Sequence, residues 1–249
     1  MRTVVVYVHG LWLRGGESFL LRRRLSRALN AESLVFPYAS VGAGVADNAV
    51  VLGGYLQTIK TDTLHLVAHS MGGLVILKLF ELSLVPQCPL AGVAQGLPPG
   101  RIVLAGSPVK GSRSAQRLAR LPLGRALLGL SGSDLLLTPG QPRWQGGRDL
   151  GVIAGDLGVG LGRLLGRMAA PNDGTVWLDE TDLPGAADQL RVRVSHSGMV
   201  FSAEVAGQVA AFLKNGHFSR NSASKPTKTA GPPKSTEFQS TIDVPRSIK

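Results

Sequence analysis

Apolar and polar positions along residues 1–218 follow two rhythms in alternation. Short runs dense in apolar and β-branched residues occur at Thr3–Val8, Ser33–Phe36, Thr63–Ala68, Arg101–Ala105, Leu150–Ala154 and Leu190–Val194, and each is predicted to be a strand. Positions 4–6, 102–105 and 152–154 are almost continuously apolar, the pattern of strands covered on both faces. Between these runs the period lengthens to that of a helix. Glu17–Leu29 has Phe19, Leu20, Leu25 and Leu29 as apolar positions, Val45–Ile59 and Met71–Leu84 come next, and Val200–Leu213 aligns Val205, Val209, Phe212 and Leu213 in one stripe. Strand alternating with helix predicts an α/β fold, a mainly parallel sheet of about six strands with helices on both faces.

Two stretches break the alternation. Residues 106–149 form a long insert in which Arg113, Arg117 and Arg120 recur at helical spacing beside Leu118 and Leu121; its part 109–148, after the fourth strand, is expected to be a helical cap. Residues 219–249 are rich in Ser, Thr, Lys and Pro, lack periodicity and are expected to be a disordered tail. The expected layout is one domain over residues 1–218, with the cap inserted in it, and a basic tail. The apolar opening up to Val8 is too short for a signal segment, and Leu157–Ala170 is interrupted by glycines, Arg163 and Arg167, so a cytoplasmic protein is expected.

Composition narrows the function classes. A chain of 249 residues can bury a core without a metal or disulfide staple. Cys88, its single cysteine, excludes an intrachain disulfide framework and a multi-cysteine zinc site. The net charge of +11 raises the question of nucleic acid. No recognised binding motif accompanies it and aromatics are only 5% of the chain, so no nucleic-acid partner is expected. Segment 219–249 carries six of the basic side chains against two acidic ones; the run Arg22–Arg24 and the arginines of the insert read as solvated surface. If this charge has a partner, a peripheral contact with an anionic membrane suits it best. Oligomeric state is left open.

The densest chemical signal is Ala68-His69-Ser70-Met71-Gly72-Gly73, between a predicted strand and a predicted helix. A serine on a sharp strand-to-helix turn is a nucleophile elbow, the G-x-S-x-G arrangement, with Ala68 in place of the first glycine. Such a turn sets Ser70 at a helix N-terminus, where free N–H groups favour a developing oxyanion. Serine needs a base. Of the five histidines, His65 lies within a strand, His69 adjoins the serine and is expected to point away, and His217 borders the tail. His196 follows the last strand, where a catalytic loop emerges from an open sheet, and is the expected base. An orienting carboxylate is expected between them in chain order. Asp173, in the turn Asn172-Asp173-Gly174, is the first candidate, with Asp179 and Glu180 behind it; Asp149 and Asp156 read as solvated strand ends. After the first strand, His9-Gly10-Leu11 fits an oxyanion loop, with the Leu11 and Met71 backbone N–H groups as donors.

In these residues, in their order along the chain, the sequence from Thr3 to about Phe218 resembles the serine esterase/lipase group of the α/β-hydrolase superfamily. It looks most like small bacterial lipase-like or GPI-inositol-deacylase-like hydrolases, whose Asn-Asp-Gly turn carries the triad acid; His196-Ser197-Gly198-Met199 matches the base. The family usually has two further strands before the oxyanion strand, so a minimal six-stranded version is expected. The resemblance implies a Ser70–His196–Asp173 triad acting through an acyl-enzyme on carboxylic or lipid esters, with no metal or organic cofactor. His9, Gly10 and Trp12 are expected to touch substrate. Leu118, Leu121, Leu123, Leu127, Leu128, Leu130 and Leu135–Leu137 have two readings, as the lining of an acyl pocket or as the seal between cap and body. An acyltransferase using the same triad and a non-catalytic binding protein on this fold are the alternatives.

Overall fold

The computed structural model describes residues 1–134, 142–160, 162, 166–168 and 171–220. Chain contacts separate Met1–Ser219 from Arg220–Lys249, and the sheet and its helices belong to the first unit. Residues 221–249 of the expected tail, Leu135–Leu137 and several positions within 157–170 lie outside the described residues.

The apolar runs build one sheet. β1 (Thr3–Val8), β2 (Glu32–Phe36), β3 (Thr63–His69), β4 (Ile102–Ala105), β5 (Leu150–Gly155) and β6 (Asp188–Val192) pair in the order β2-β1-β3-β4-β5-β6, every pair parallel. Alternation along each strand sorts the side chains into two layers. Val4, Val6 and Val8 of β1, with Leu64 and Leu66 of β3 and Leu104 of β4, pack beneath α2 (Val45–Gln57) and α3 (Gly72–Ser83). Val5 and Tyr7, with Val67, Val103 and Ile153, pack on the other face beneath α1 (Phe19–Leu29) and α7 (Ala203–Asn215). Each fully buried Val, Leu or Ile contributes about 1.5–3 kcal/mol, so a strand apolar on both faces is held from both sides.

The chain runs outward from β1 to β2, then returns past β1 to β3 and continues across the sheet. The carboxyl ends of β1 and β3 therefore flank the point where the strand order reverses, where open α/β sheets leave a crevice.

Several boundaries differ from the sequence expectation. β6 spans Asp188–Val192 rather than 190–194, because pairing starts at Gly151 with Asp188 while Val194 turns back to bond Val192. In α1 the buried stripe is Leu21 and Leu25; Phe19 and Leu20 face solvent. α7 starts at Ala203 because the Ser202 hydroxyl caps it, accepting the Val205 N–H at 3.2 Å, and residues 197–200 form a separate 3₁₀ turn. Between β3 and β4 lies a short α4 (Val93–Gly96) that the pattern does not announce. In the insert, α5 (Arg113–Ala119) is capped by Ser112, and α6 (Gly124–Asp134) is kinked at Gly129, whose φ of 65° lets the backbone pass Val41. No helix of the described residues is long and apolar enough to cross a membrane.

Candidate active site

The elbow is shaped by close backbone approach. Ser70, at the end of β3, has φ 55°, and its N–H donates to the Ala105 carbonyl at 2.9 Å. A Cβ on Gly72 would stand 2.3 Å from the Val8 carbonyl oxygen, so only glycine lets α3 start against the end of β1. Gly10 is held to glycine from the opposite side, since its Cβ would press on Ser70 Cβ at 3.1 Å. Ala68 is a different case. Its methyl packs into the core beside Val8 rather than into the turn, so alanine fits where the usual motif has glycine.

Three polar side chains meet across strand ends. His196 Nε2 lies 3.0 Å from Ser70 Oγ, and its Nδ1 lies 2.7 Å from Asp173 Oδ2. A carboxylate has no proton to give, so Nδ1 carries the hydrogen and Nε2 is left as the acceptor facing the serine. Asp173 is buried, and its other oxygen accepts the N–H groups of Thr175 at 2.9 Å and Val176 at 2.7 Å. The turn closes on itself: Gly174, at φ 93°, donates to the Asn172 side chain at 2.9 Å, and the His196 N–H donates to the Asp173 carbonyl at 2.8 Å. Asp173 and His196 are thus joined through both backbone and side chain. Gly106, directly after β4, leaves room for the ring, since a Cβ there would be 3.2 Å from His196 Nδ1.

The Leu11 and Met71 N–H groups donate to no partner among the described residues, and both residues border Ser70 in space or sequence. The serine opens into a cavity of about 220 Å³ lined by Gly10–Leu13, His69, Pro108, Ser112, Ser114, Ala115, Leu118, Leu128, Gly162, Thr175, Val176, His196 and Ser197. Gly10 and Trp12 line it. His9 does not: it is buried, stacked on Tyr38 at 4.2 Å, and the Tyr38 hydroxyl donates to its carbonyl at 2.6 Å. Burial lowers the pKa of His9 and raises that of Tyr38, so both stay neutral near pH 7.

One further expectation needs correction. His69 does not point away from the site. Its ring lies 4.7 Å from that of His196, and its Nε2–H donates to the His196 carbonyl at 3.0 Å. Burial, and secondarily the neighbouring His196, push its pKa down to about 3, so it is a fixed neutral donor. Of the leucines with two readings, Leu118 and Leu128 line the cavity, whereas Leu121, Leu123, Leu127 and Leu130 face outward. The other carboxylates have separate partners. Glu180 is buried, accepts the Arg113 N–H at 2.7 Å and the Trp177 N–H at 3.0 Å, and pairs with the Arg113 guanidinium, which Asp179 also meets. Burial outweighs these donors and raises the Glu180 pKa. This cluster ties the start of α5 to the loop that carries Asp173. Its only sequence signal is the Trp177-to-Glu180 spacing of a helix-capping turn.

No family model matches the sequence, and no curated protein matches it. Solved structures do. A Bacillus licheniformis lipase, BlEst2, in its propeptide form superposes with a TM-score of 0.65 at 17% identity, over 90% of this chain and 52% of that one. The chain has the α/β-hydrolase fold. Phospholipase PlaB from Legionella pneumophila matches with a TM-score of 0.51 at 16% identity, over 72% of this chain and 45% of its own. The type II thioesterase BorB of the borrelidin cluster matches with a TM-score of 0.50 at 16% identity, over 86% and 92% of the two chains. The chain spans about half the length of the lipase and phospholipase structures. On this α/β-hydrolase frame, Ser70 follows the third strand, Asp173 the fifth and His196 the sixth.

Proposed function

We propose that the protein is a serine hydrolase that cleaves carboxylic esters through Ser70, His196 and Asp173. The observation that carries the reading is the continuous path from Ser70 Oγ through His196, at 3.0 Å and 2.7 Å, to a buried carboxylate. Ser70 Oγ attacks the ester carbonyl while its proton passes to His196 Nε2. Asp173 holds the imidazole orientation and stabilises the imidazolium that forms, its Oδ1 fixed by the Thr175 and Val176 N–H groups. The oxyanion is received by the N–H groups of Leu11 and Met71; losing one such donor costs about 3–4 kcal/mol of transition-state stabilisation. His196 then returns the proton to the departing alkoxide, leaving an acyl-serine and a free alcohol. Water, deprotonated by His196, attacks the acyl-serine to release the acid and restore Ser70.

The cavity beside Ser70 is lined mainly by Leu, Trp, Pro, Ala and Val side chains, which suits an apolar acyl group; Ser112, Ser114 and Thr175 add a few polar atoms. The superposable lipase and thioesterase are named for hydrolysis of acyl esters and acyl thioesters. The test is hydrolysis of a series of p-nitrophenyl esters of increasing chain length. Wild-type protein is expected to release nitrophenol, and Ser70→Ala to lose about 10⁴-fold or more in kcat while keeping its circular dichroism spectrum and melting temperature. Activity undiminished in Ser70→Ala would overturn the assignment.

A further inference from the structure

The cap is apolar on two sides. Leu118 and Leu128 face the cavity, whereas Leu121, Leu123, Leu127 and Leu130 are 50%, 79%, 56% and 59% exposed. Backbone hydrogen bonds hold three of these in consecutive turns: Gly124 N–H to Leu121 at 2.9 Å and Leu127 N–H to Leu123 at 3.0 Å. Trp12 joins them, its indole N–H donating to the Leu127 carbonyl at 2.7 Å with the residue 52% exposed. Leu123 also sits at φ 60°, a conformation glycine adopts with less strain, so the turn itself does not call for a leucine. Large apolar side chains exposed together in one short segment suit an interaction site.

The rim is basic. Arg120 and Arg125 are exposed in the same segment and have no ion-pair partner among the described residues. No acidic residue occurs between Arg113 and Ser133. The inward arginines are engaged differently: Arg113 and Arg117 lie over the Trp177 ring at 4.4 Å and 5.0 Å.

We infer that the outer face of the cap, Leu121, Leu123 and Leu127 with Trp12 and the flanking Arg120 and Arg125, docks on an anionic lipid surface. Leucine side chains supply apolar area to the acyl boundary, and the arginines meet lipid phosphates. A second copy of the chain fits less well, since self-pairing of this face would bring its arginines against one another. Docked in this way, Trp12, which also lines the cavity, lies at the lipid boundary. The inference stands apart from the hydrolase reading, because docking needs no turnover.

The test is co-sedimentation of the full chain with vesicles of phosphatidylcholine alone or with one-third phosphatidylglycerol. The wild-type partition coefficient is expected to be at least about tenfold higher on the anionic vesicles and to fall with added salt. Leu121→Ser/Leu123→Ser should lose about tenfold per leucine, and Arg120→Gln/Arg125→Gln about fivefold per arginine, with melting temperatures unchanged. Ser70→Ala should bind like wild type, so failure of docking and failure of catalysis are read separately. Absence of vesicle binding would overturn the inference. Binding undiminished in both surface variants would do so too and would move the contact elsewhere, to the basic 219–249 segment for instance. A wild-type dimer that Leu123→Ser splits would assign the face to a second copy.

Discussion

The strand ends around Ser70 and the outer face of the cap use the protein's side chains in opposite ways. At the strand ends polar groups are buried and tied in place: Asp173 accepts from two backbone N–H groups and from His196, and the His196 carbonyl is held by His69. On the cap, large apolar side chains stand in solvent beside Arg120 and Arg125, which have no ion-pair partner among the described residues. The first arrangement holds polar groups in a fixed geometry, as the proposed electrostatic catalysis requires. The second leaves apolar area uncovered, and that area is useful only against another surface. Substitutions at the strand ends should therefore act on turnover, and those on the cap's outer face on association.

The sharpest break in that comparison pits two aspartates against each other. Asp173→Asn should lower kcat by about 10⁴-fold, because an amide can present its N–H to Nδ1 and favour the wrong imidazole tautomer. Asp179→Asn removes only an exposed partner of Arg113, a pair worth about 0–1 kcal/mol, and should change kcat by less than about fivefold. Steady-state rates on one short ester measure both. Equal losses would mean that the acid is wrongly assigned or that the Arg113–Asp179–Glu180 cluster controls the site.

A smaller effect concerns pH. His65, buried in β3, accepts the Arg101 N–H at its Nδ1, and burial followed by the nearby Arg101 charge push its pKa down to about 4. His69 is at about 3. Both are neutral in the folded chain but take up a proton in the unfolded chain near pH 6.5. The unfolded state therefore binds more protons below that pH, and stability should fall as pH drops from about 6.5 toward 4. The slope approaches about 1.4 kcal/mol per pH unit for each group. Urea midpoints at successive pH values should show a flatter acid limb in His65→Asn, whatever its stability at pH 7. An unchanged limb would show that His65 is not among the groups responsible.

The sheet was legible because its strands are buried on both faces, so their apolar runs stand out with no competing polar rhythm. β6 was shifted by two residues because it is an edge strand with half-exposed positions, where the pattern is weak. Gly72 could be found because a Cβ there would collide with the Val8 carbonyl, and Ser70 and Gly10 because they stand beside it in recognisable strand-end motifs. Asp173 was favoured by its turn, though a turn aspartate alone does not point toward a histidine. His69 was misread: adjacency along a strand end says which face a side chain leaves from, not which carbonyl comes to meet it from the loop after β6. The cap leucines were left with two readings for a more general reason. Helical periodicity assumes one core face and one solvent face. A layer over a cavity has an apolar inner side without forbidding an apolar outer one, so position in the heptad cannot separate Leu128 from Leu127.

The central claim is that Ser70 is a nucleophile activated by His196 and Asp173, and covalent labelling tests it most directly. Full-length protein treated with a fluorophosphonate should carry one adduct, mapped by peptide mass spectrometry to Ser70, at a rate that falls by orders of magnitude in His196→Gln. Labelling at another residue, or labelling of Ser70 at the same rate without His196, would contradict it.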